Sequence, residues 1–200
     1  MNFPPKNFPW ARLARVLTLV LAFSILAISL TMASLETAAK NNDDNNLRVN
    51  PIAFDYLNEK GEIKQNIYKT PESSVAANSL IYPIKNIRDN LWIKMSSNGE
   101  KKTEVYLLIA DKKIKEANDL YNDNSDQKFI AETANEALNN LKEAKSNLKD
   151  VQLDKIEIDK INSRLMESGK AYEQIIKSWK LENEKINKTI TELESINEKK

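Results

Sequence analysis

The sequence predicts a mainly α protein: an N-terminal membrane helix, an irregular stalk, then an antiparallel helical bundle closed by a long, coiled-coil-like C-terminal helix. Three observations predict it. Only three glycines and six prolines occur among 200 residues, while 30% of the chain is charged and 41% hydrophobic, a balance that suits helices better than disorder or sheet. Twenty consecutive residues near the N-terminus, Val16 to Leu35, carry no charge. Beyond Ser79 the apolar residues recur at three- and four-residue intervals, the period of a helix with one buried face.

The charge balance and the missing residue types narrow the function. Setting Lys6, Arg12, Arg15 and Glu36 aside from the totals of 30 basic and 29 acidic residues leaves a body of 27 against 28. Nucleic-acid binding rests on clustered positive charge, so no nucleic-acid partner is expected. The chain has no histidine and no cysteine. That excludes a Ser-His-Asp triad, a thiol nucleophile, imidazole or thiolate zinc ligation, disulfides and a lipid-modified cysteine. A protein that is not an enzyme and holds no cofactor is the expectation.

Taken in order, residues 1–15 form a basic tail. Val16 to Leu35, "VLTLVLAFSILAISLTMASL", is about 30 Å long as a helix, the thickness of a bilayer's hydrocarbon core. Its eleven Leu, Ile, Val and Phe residues favour insertion by about 3 to 7 kcal/mol, opposed by its Ser and Thr. The basic residues before it stay cytoplasmic, which places the rest of the chain outside the cell membrane. Twenty residues exceed the apolar core of a signal peptide, so retention as an anchor is favoured. Thr37-Ala38-Ala39 and Thr31-Met32-Ala33 nevertheless offer small residues for cleavage, and a cleaved chain would be secreted.

Residues 36–78 read as a polar stalk. "KNNDDNN" has nothing to bury, and Pro51 and Pro71 punctuate the mixed-polarity residues beyond it. Within the stalk only "EIKQNIYK" alternates in the manner of a strand.

Residues 79–150 make a helical domain. Pro83 suits a first helical position, and Ile84, Ile87, Leu91 and Met95 mark a short helix to about Met95. "SSNG" breaks it. A second helix, about Glu100 to Asn122, has Leu107, Ala110, Ile114, Ala117 and Tyr121 on one stripe. A third, about Asp126 to Lys149, carries Ile130, Ala134, Ala137, Leu141, Ala144 and Leu148 in strict 4-3 alternation, a heptad seam whose alanines admit a close neighbour.

Residues 151–200 predict one long helix from near Asp154 to about Glu198. Its seam runs through Ile161, Leu165, Tyr172, Ile175 and Trp179 to Ile186, Leu193 and Ile196. The heptad phase survives Ser168-Gly169, so continuity is preferred to a break there. A 45-residue helix would span about 67 Å, against about 35 Å for its neighbours. Ile186, Ile190, Leu193 and Ile196 would then form a seam for a second copy of the chain or for another envelope protein.

"SLIYPIKNIRDNL", "GEKKTEVYLLIADKKIKEANDL" and the alanine-rich helix after them resemble a bacterial extracytoplasmic family, domain of unknown function 5667, over about Ser79 to Lys149. Tyr82, Pro83, Lys85, Lys101, Lys102, Glu104, Leu107, Ala110, Lys112, Lys113, Ile114, Glu116 and Ala117 match its pattern, and Ser79-Leu80-Ile81 depart from it. The resemblance implies a segment that comes after a signal or membrane helix, outside a bacterial cell membrane. It implies no activity.

The remaining candidates are few. Tyr82 stands where a capping side chain is usual, yet cannot reach back to the first-turn amides. It is read as a packing anchor with its hydroxyl at the rim, and Trp92, Tyr106 and Trp179 as further anchors. Glu132 and Glu136 have the spacing of an acid/base or metal pair, but suit a solvated helix face better. The function these residues suggest is a non-enzymatic, membrane-anchored extracytoplasmic interaction module. Its alternative is an extracytoplasmic ligand or client binder of chaperone type, with a carboxylate-dependent hydrolase a distant third.

Overall fold

The computed structural model describes Thr18 and, within residues 49–198, all but 58–59, 72–81, 97–98, 150 and 152. The chain divides into two compact units, Met1–Leu47 and Arg48–Lys200, and the strands and helices described below belong to the second. Apart from Thr18, residues 16–35 lie outside the described residues. Among those described, no helix is long and apolar enough to cross a membrane.

Among the described residues the unit is mainly α, with five helices in a bundle and one β-hairpin. In chain order it contains β1 (Val49–Leu57), β2 (Ile63–Pro71), α1 (Tyr82–Met95), α2 (Gly99–Asn122), α3 (Gln127–Leu148), α4 (Lys155–Ser178) and α5 (Glu184–Glu198). The centre is the α2–α3 hairpin. Asp126 caps α3, its carboxylate accepting from the Lys128 N–H at 2.8 Å. The preceding turn closes because Asn124 adopts φ 53°, a left-handed conformation that asparagine tolerates. The Ser125 N–H then reaches the Leu120 carbonyl at 2.9 Å. The α3 seam points inward throughout: Ile130, Ala134, Ala137, Leu141, Ala144 and Leu148 are all buried, opposite Leu107, Ala110, Ile114 and Ala117 of α2. Methyl side chains on both helices let the backbones approach, as the alternation of small and large residues requires.

The C-terminal helix is not continuous. It stops at Ser178, Trp179 forms the C-cap and Lys180 turns left-handed at φ 50°. The Asn183 side chain then accepts from the N–H groups of Lys185 at 2.9 Å and Ile186 at 3.3 Å, starting α5. Magnitudes explain the reversal. A non-glycine residue in the left-handed region costs about 1–2 kcal/mol, whereas burying a leucine or isoleucine contributes about 1.5–3 kcal/mol. Folding back buries both Ile186 and Leu193, each 1% exposed. Gly169 is not a break either: it lies inside α4 where α5 comes close, and a Cβ there would meet Asn197 Oδ1 at 2.6 Å.

The expected stalk is corrected over residues 49–71; residues 36–48 and 72–78 lie outside the described residues. Residues 49–71 form an antiparallel hairpin, with Ile52 opposite Tyr68 and Phe54 opposite Asn66. The alternating stretch read from the sequence is β2. In β1, Ile52 and Phe54 enter the core while Ala53 and Asp55 face water. Pro51 is tolerated because each strand of a two-stranded sheet keeps a free edge, where a missing N–H is harmless. The hairpin packs through β1 on α4 and through β2 on α2.

Candidate functional site

The first helix of the bundle is inside out. At 100° per residue, Ile84, Ile87, Leu91 and Met95 fall within one 80° arc, and all four are exposed, Ile84 and Ile87 by about two thirds. On the opposite side lie Lys85 and Asp89, 5% and 4% exposed. The apolar face that the sequence suggests for the interior looks outward, and the charged face looks in.

This orientation is held by partners that α2 supplies to the inward residues Tyr82, Lys85 and Asn86. Lys85 pairs with Glu116 of α2. The Tyr82 hydroxyl donates to Glu116 Oε2 at 3.0 Å and accepts from Lys113 Nζ at 2.5 Å, while Lys113 also donates to Asn86 Oδ1 at 3.0 Å. Lys113 reaches Glu136 of α3 at 2.5 Å. Both Lys85 and Lys113 lie over the Tyr82 ring, 5.4 and 4.6 Å from its centroid, where the ring's negative face attracts a cation. Burial pushes the Lys85 ammonium down to about 7, with Asp89 pulling it back up. Burial, with Glu136 and Asp89, raises the Tyr82 phenol. A buried ionic network of this kind is expensive to break from one side.

Between α1 and α3 this network borders a cleft of about 240 Å³. Asn86, Asp89, Asn90 and Ile93 of α1 line it, with Ile109 and Lys113 of α2 and Glu136, Asn139 and Asn140 of α3. Asp89 Oδ1 takes two N–H groups from Arg88, at 2.7 and 3.0 Å. Its Oδ2 is buried and accepts no hydrogen bond.

A second buried polar group fastens the hairpin to the bundle. Asp111 of α2, 4% exposed, accepts from the hydroxyls of Tyr68 and Tyr172, each at 2.6 Å. Ser168 lies 2.9 Å from the Tyr68 hydroxyl, and Arg164 Nη2 lies 3.7 Å from Asp111 Oδ2. The two rings meet edge to face at 5.9 Å. Burial raises the Asp111 pKa, while the two hydroxyls and Arg164 oppose that rise. Surrounded by these groups of its own chain, the carboxylate serves as a joint between β2, α2 and α4.

The residues singled out from sequence separate into three groups. Ile186 and Leu193 are fully buried, and Ile190 and Ile196 pack partly buried against the core. Residues of α3 hold α5 in place, Lys142 to Glu192 and Lys145 to the Ile196 carbonyl at 3.1 Å. The seam expected for a partner is therefore occupied by its own chain. Among the anchors, Trp179 is buried, stacks on Tyr121 at 5.7 Å and donates to Asn118 at 3.2 Å. Tyr106 packs partly buried on the core. Trp92 is half-buried with Lys112 Nζ 5.6 Å from its ring centroid. Tyr82 does not hold its hydroxyl at a rim but places it in the ionic network. Glu136 borders the cleft, and Glu132 lies 3.9 Å from Lys185. Among the described residues no group of three or more carboxylates is arranged to hold a metal.

Sequence reasoning missed Asn86, Asp89 and Asn139. Lys85 and Asp89, four residues apart and opposite the isoleucine arc, were the available signal.

Residues 74–200 match the model of a family described as a domain of unknown function (DUF5667). No curated protein and no solved structure matches the chain.

Proposed function

The chain belongs to the DUF5667 family, and on that premise we propose that it is a non-enzymatic helical module, anchored in a bacterial cell membrane and exposed outside, that docks an amphipathic helix of another protein on the outer face of α1. The outward arc of Ile84, Ile87, Leu91 and Met95 carries the reading. Its 3-4-4 spacing is what a helix-in-groove contact uses, and four large apolar side chains on one exposed face need a cover. The anchor rests on the uncharged run at residues 16–35.

Charge favours a different protein over a second copy. Arg88 and Lys94 flank the arc on its two sides, so an identical helix laid against it sets cation beside cation. A partner helix with glutamate or aspartate flanks meets the exposed Lys94 and the outer side of Arg88, which also holds Asp89. The C-terminal stripe is buried within the fold and takes no part.

The test uses the full chain in lipid nanodiscs, with Trp10→Phe so that Trp92, beside Leu91, dominates the fluorescence change. Two synthetic helical peptides share a leucine stripe but carry glutamate or lysine flanks. The glutamate peptide should bind, and Ile87→Asp should abolish binding while leaving the circular dichroism unchanged. Equal binding of both peptides, or of neither, overturns the reading. Self-association lost in Ile87→Asp would replace it with a second copy as the occupant.

A further inference from the structure

Among the described helices only α1 buries no apolar side chain: its two buried residues are Lys85 and Asp89, and none of its apolar residues joins the core or packs partly buried against it. By contrast α5, one residue longer, buries Ile186 and Leu193. What holds α1 is polar: the Tyr82 hydroxyl and Asn86 on Lys113, Tyr82 and Lys85 on Glu116, and the Trp92 ring beside Lys112.

That seat is imperfect. Lys85 Nζ pairs with Glu116 by charge but makes no hydrogen bond, and Asp89 Oδ2 accepts none. Two of the three buried side-chain atoms without a hydrogen bond among the described residues therefore lie on this one helix. Both would be hydrated if α1 moved away, which recovers what their burial costs. Nor would departure strand a charge beneath. Lys113 stays 3.9 Å from Glu116 and 2.5 Å from Glu136, while Lys85, Arg88 and Asp89 leave together into water.

We infer that α1 is a detachable arm, which leaves and rejoins an otherwise intact bundle as one unit. The core of α2 to α5 and the hairpin is complete without it, as a low-stability unit on a stable body requires. A 14-residue helix is marginal alone in water, so the outer arc exists as a face only while the arm is seated. The seat thus switches the docking surface on, a link that rests on the proposed reading of that arc.

Native-state hydrogen exchange of the full chain in nanodiscs tests the arm. Amides from Asn86 to Met95 should share one opening and be protected about tenfold less than those of α3, or weaker still. Tyr82→Phe and Asn86→Ala, which remove ties to α2, should each speed exchange along all of α1 by about fivefold and leave α3 unchanged. The chain has no cysteine, so Ile109→Cys, in the cleft that α1 borders and 3% exposed, supplies a second probe. It should react with a thiol reagent at the rate at which α1 opens. Protection of α1 equal to that of α3, a response to the variants confined to the helix ends, or a thiol that reacts only on global unfolding overturns the inference. The glutamate-flanked peptide should slow α1 exchange several-fold. If the arm opens as described but ignores the peptide, the docking reading falls and the arm stands.

Discussion

Two apolar stripes, on α1 and on α5, are spelled almost alike and end up in opposite places. Ile186, Leu193 and Ile196 of α5 turn toward α3 and α4, whereas Ile84, Ile87, Leu91 and Met95 of α1 face outward. What differs is the other side of each helix. In α5 it carries Asn187, Lys188 and Thr191, all exposed, which are best served by water. In α1 it carries Lys85 and Asp89, flanked by Tyr82 and Asn86, and α2 brings Glu116 and Lys113 to meet them. An amphipathic helix turns its apolar face inward only when its polar face has no better partner than solvent.

Removing one side chain from each stripe gives the widest contrast. Leu193→Ala should cost about 2–5 kcal/mol in urea unfolding. A loss below the range of a surface change would mean that α5 does not pack back on the bundle. Next comes the joint at Asp111, where Tyr172→Phe removes one of two hydroxyls from a buried carboxylate. About 1.5–3 kcal/mol is expected, with loss of β-hairpin protection in hydrogen exchange.

The inward face of α1 should respond more modestly. Tyr82→Phe is expected to cost about 1 kcal/mol, because its hydroxyl joins Lys113 and Glu116. A neutral result would restore the rim position suggested by sequence. The same network predicts a pH dependence. The Lys85 ammonium, at about 7 in the fold against 10.5 in the unfolded chain, is lost first from the native state. Stability therefore rises with pH from about 7 toward 10, and Lys85→Met should reduce that slope. Glu116, Asp89, Lys113, Lys112 and Arg88 surround it and set the size of the effect. Above the unfolded tyrosine value of 10.0 the trend reverses, since burial raises Tyr68, Tyr82 and Tyr172 and the native state then holds more protons. The smallest stability change belongs to the outer arc: Ile87→Ser should stay within about 0.5 kcal/mol, and a larger loss would show that the arc is packed.

Legibility from sequence divides along the same line. The α3 seam could be read residue by residue because alanine and leucine at heptad spacing specify both helix and inward face. The α1 helix was legible, but its direction was not, since periodicity fixes a face and not the neighbour that receives it. The α4–α5 turn was hidden by an accident of spacing. Trp179 and Ile186 are seven apart, so the heptad phase runs unbroken across a reversal. Asn183 ahead of Glu184 was the visible cap signal. The hairpin was obscured by Pro51, although Ile52, Phe54 and Tyr56 alternate as a half-buried strand should. Of the cleft, the only visible sign was the Lys85 and Asp89 pair opposite the apolar arc, and whether that pair faces water or the bundle is settled only when α2 and α3 are laid beside it.

The joint at Asp111 also orders events in time. Tyr68 meets Asp111 across 43 positions of chain and Ser168 across 100. A two-stranded hairpin is marginal alone, so β1 and β2 emerge from the ribosome long before their last support exists. At about 5–20 residues per second, the hairpin waits about 5–20 s for α4. During that interval Ile52 and Phe54 are uncovered on a hairpin with two open edges. Synthesis is therefore a step at which this chain is open to aggregation, with the hairpin the segment left waiting.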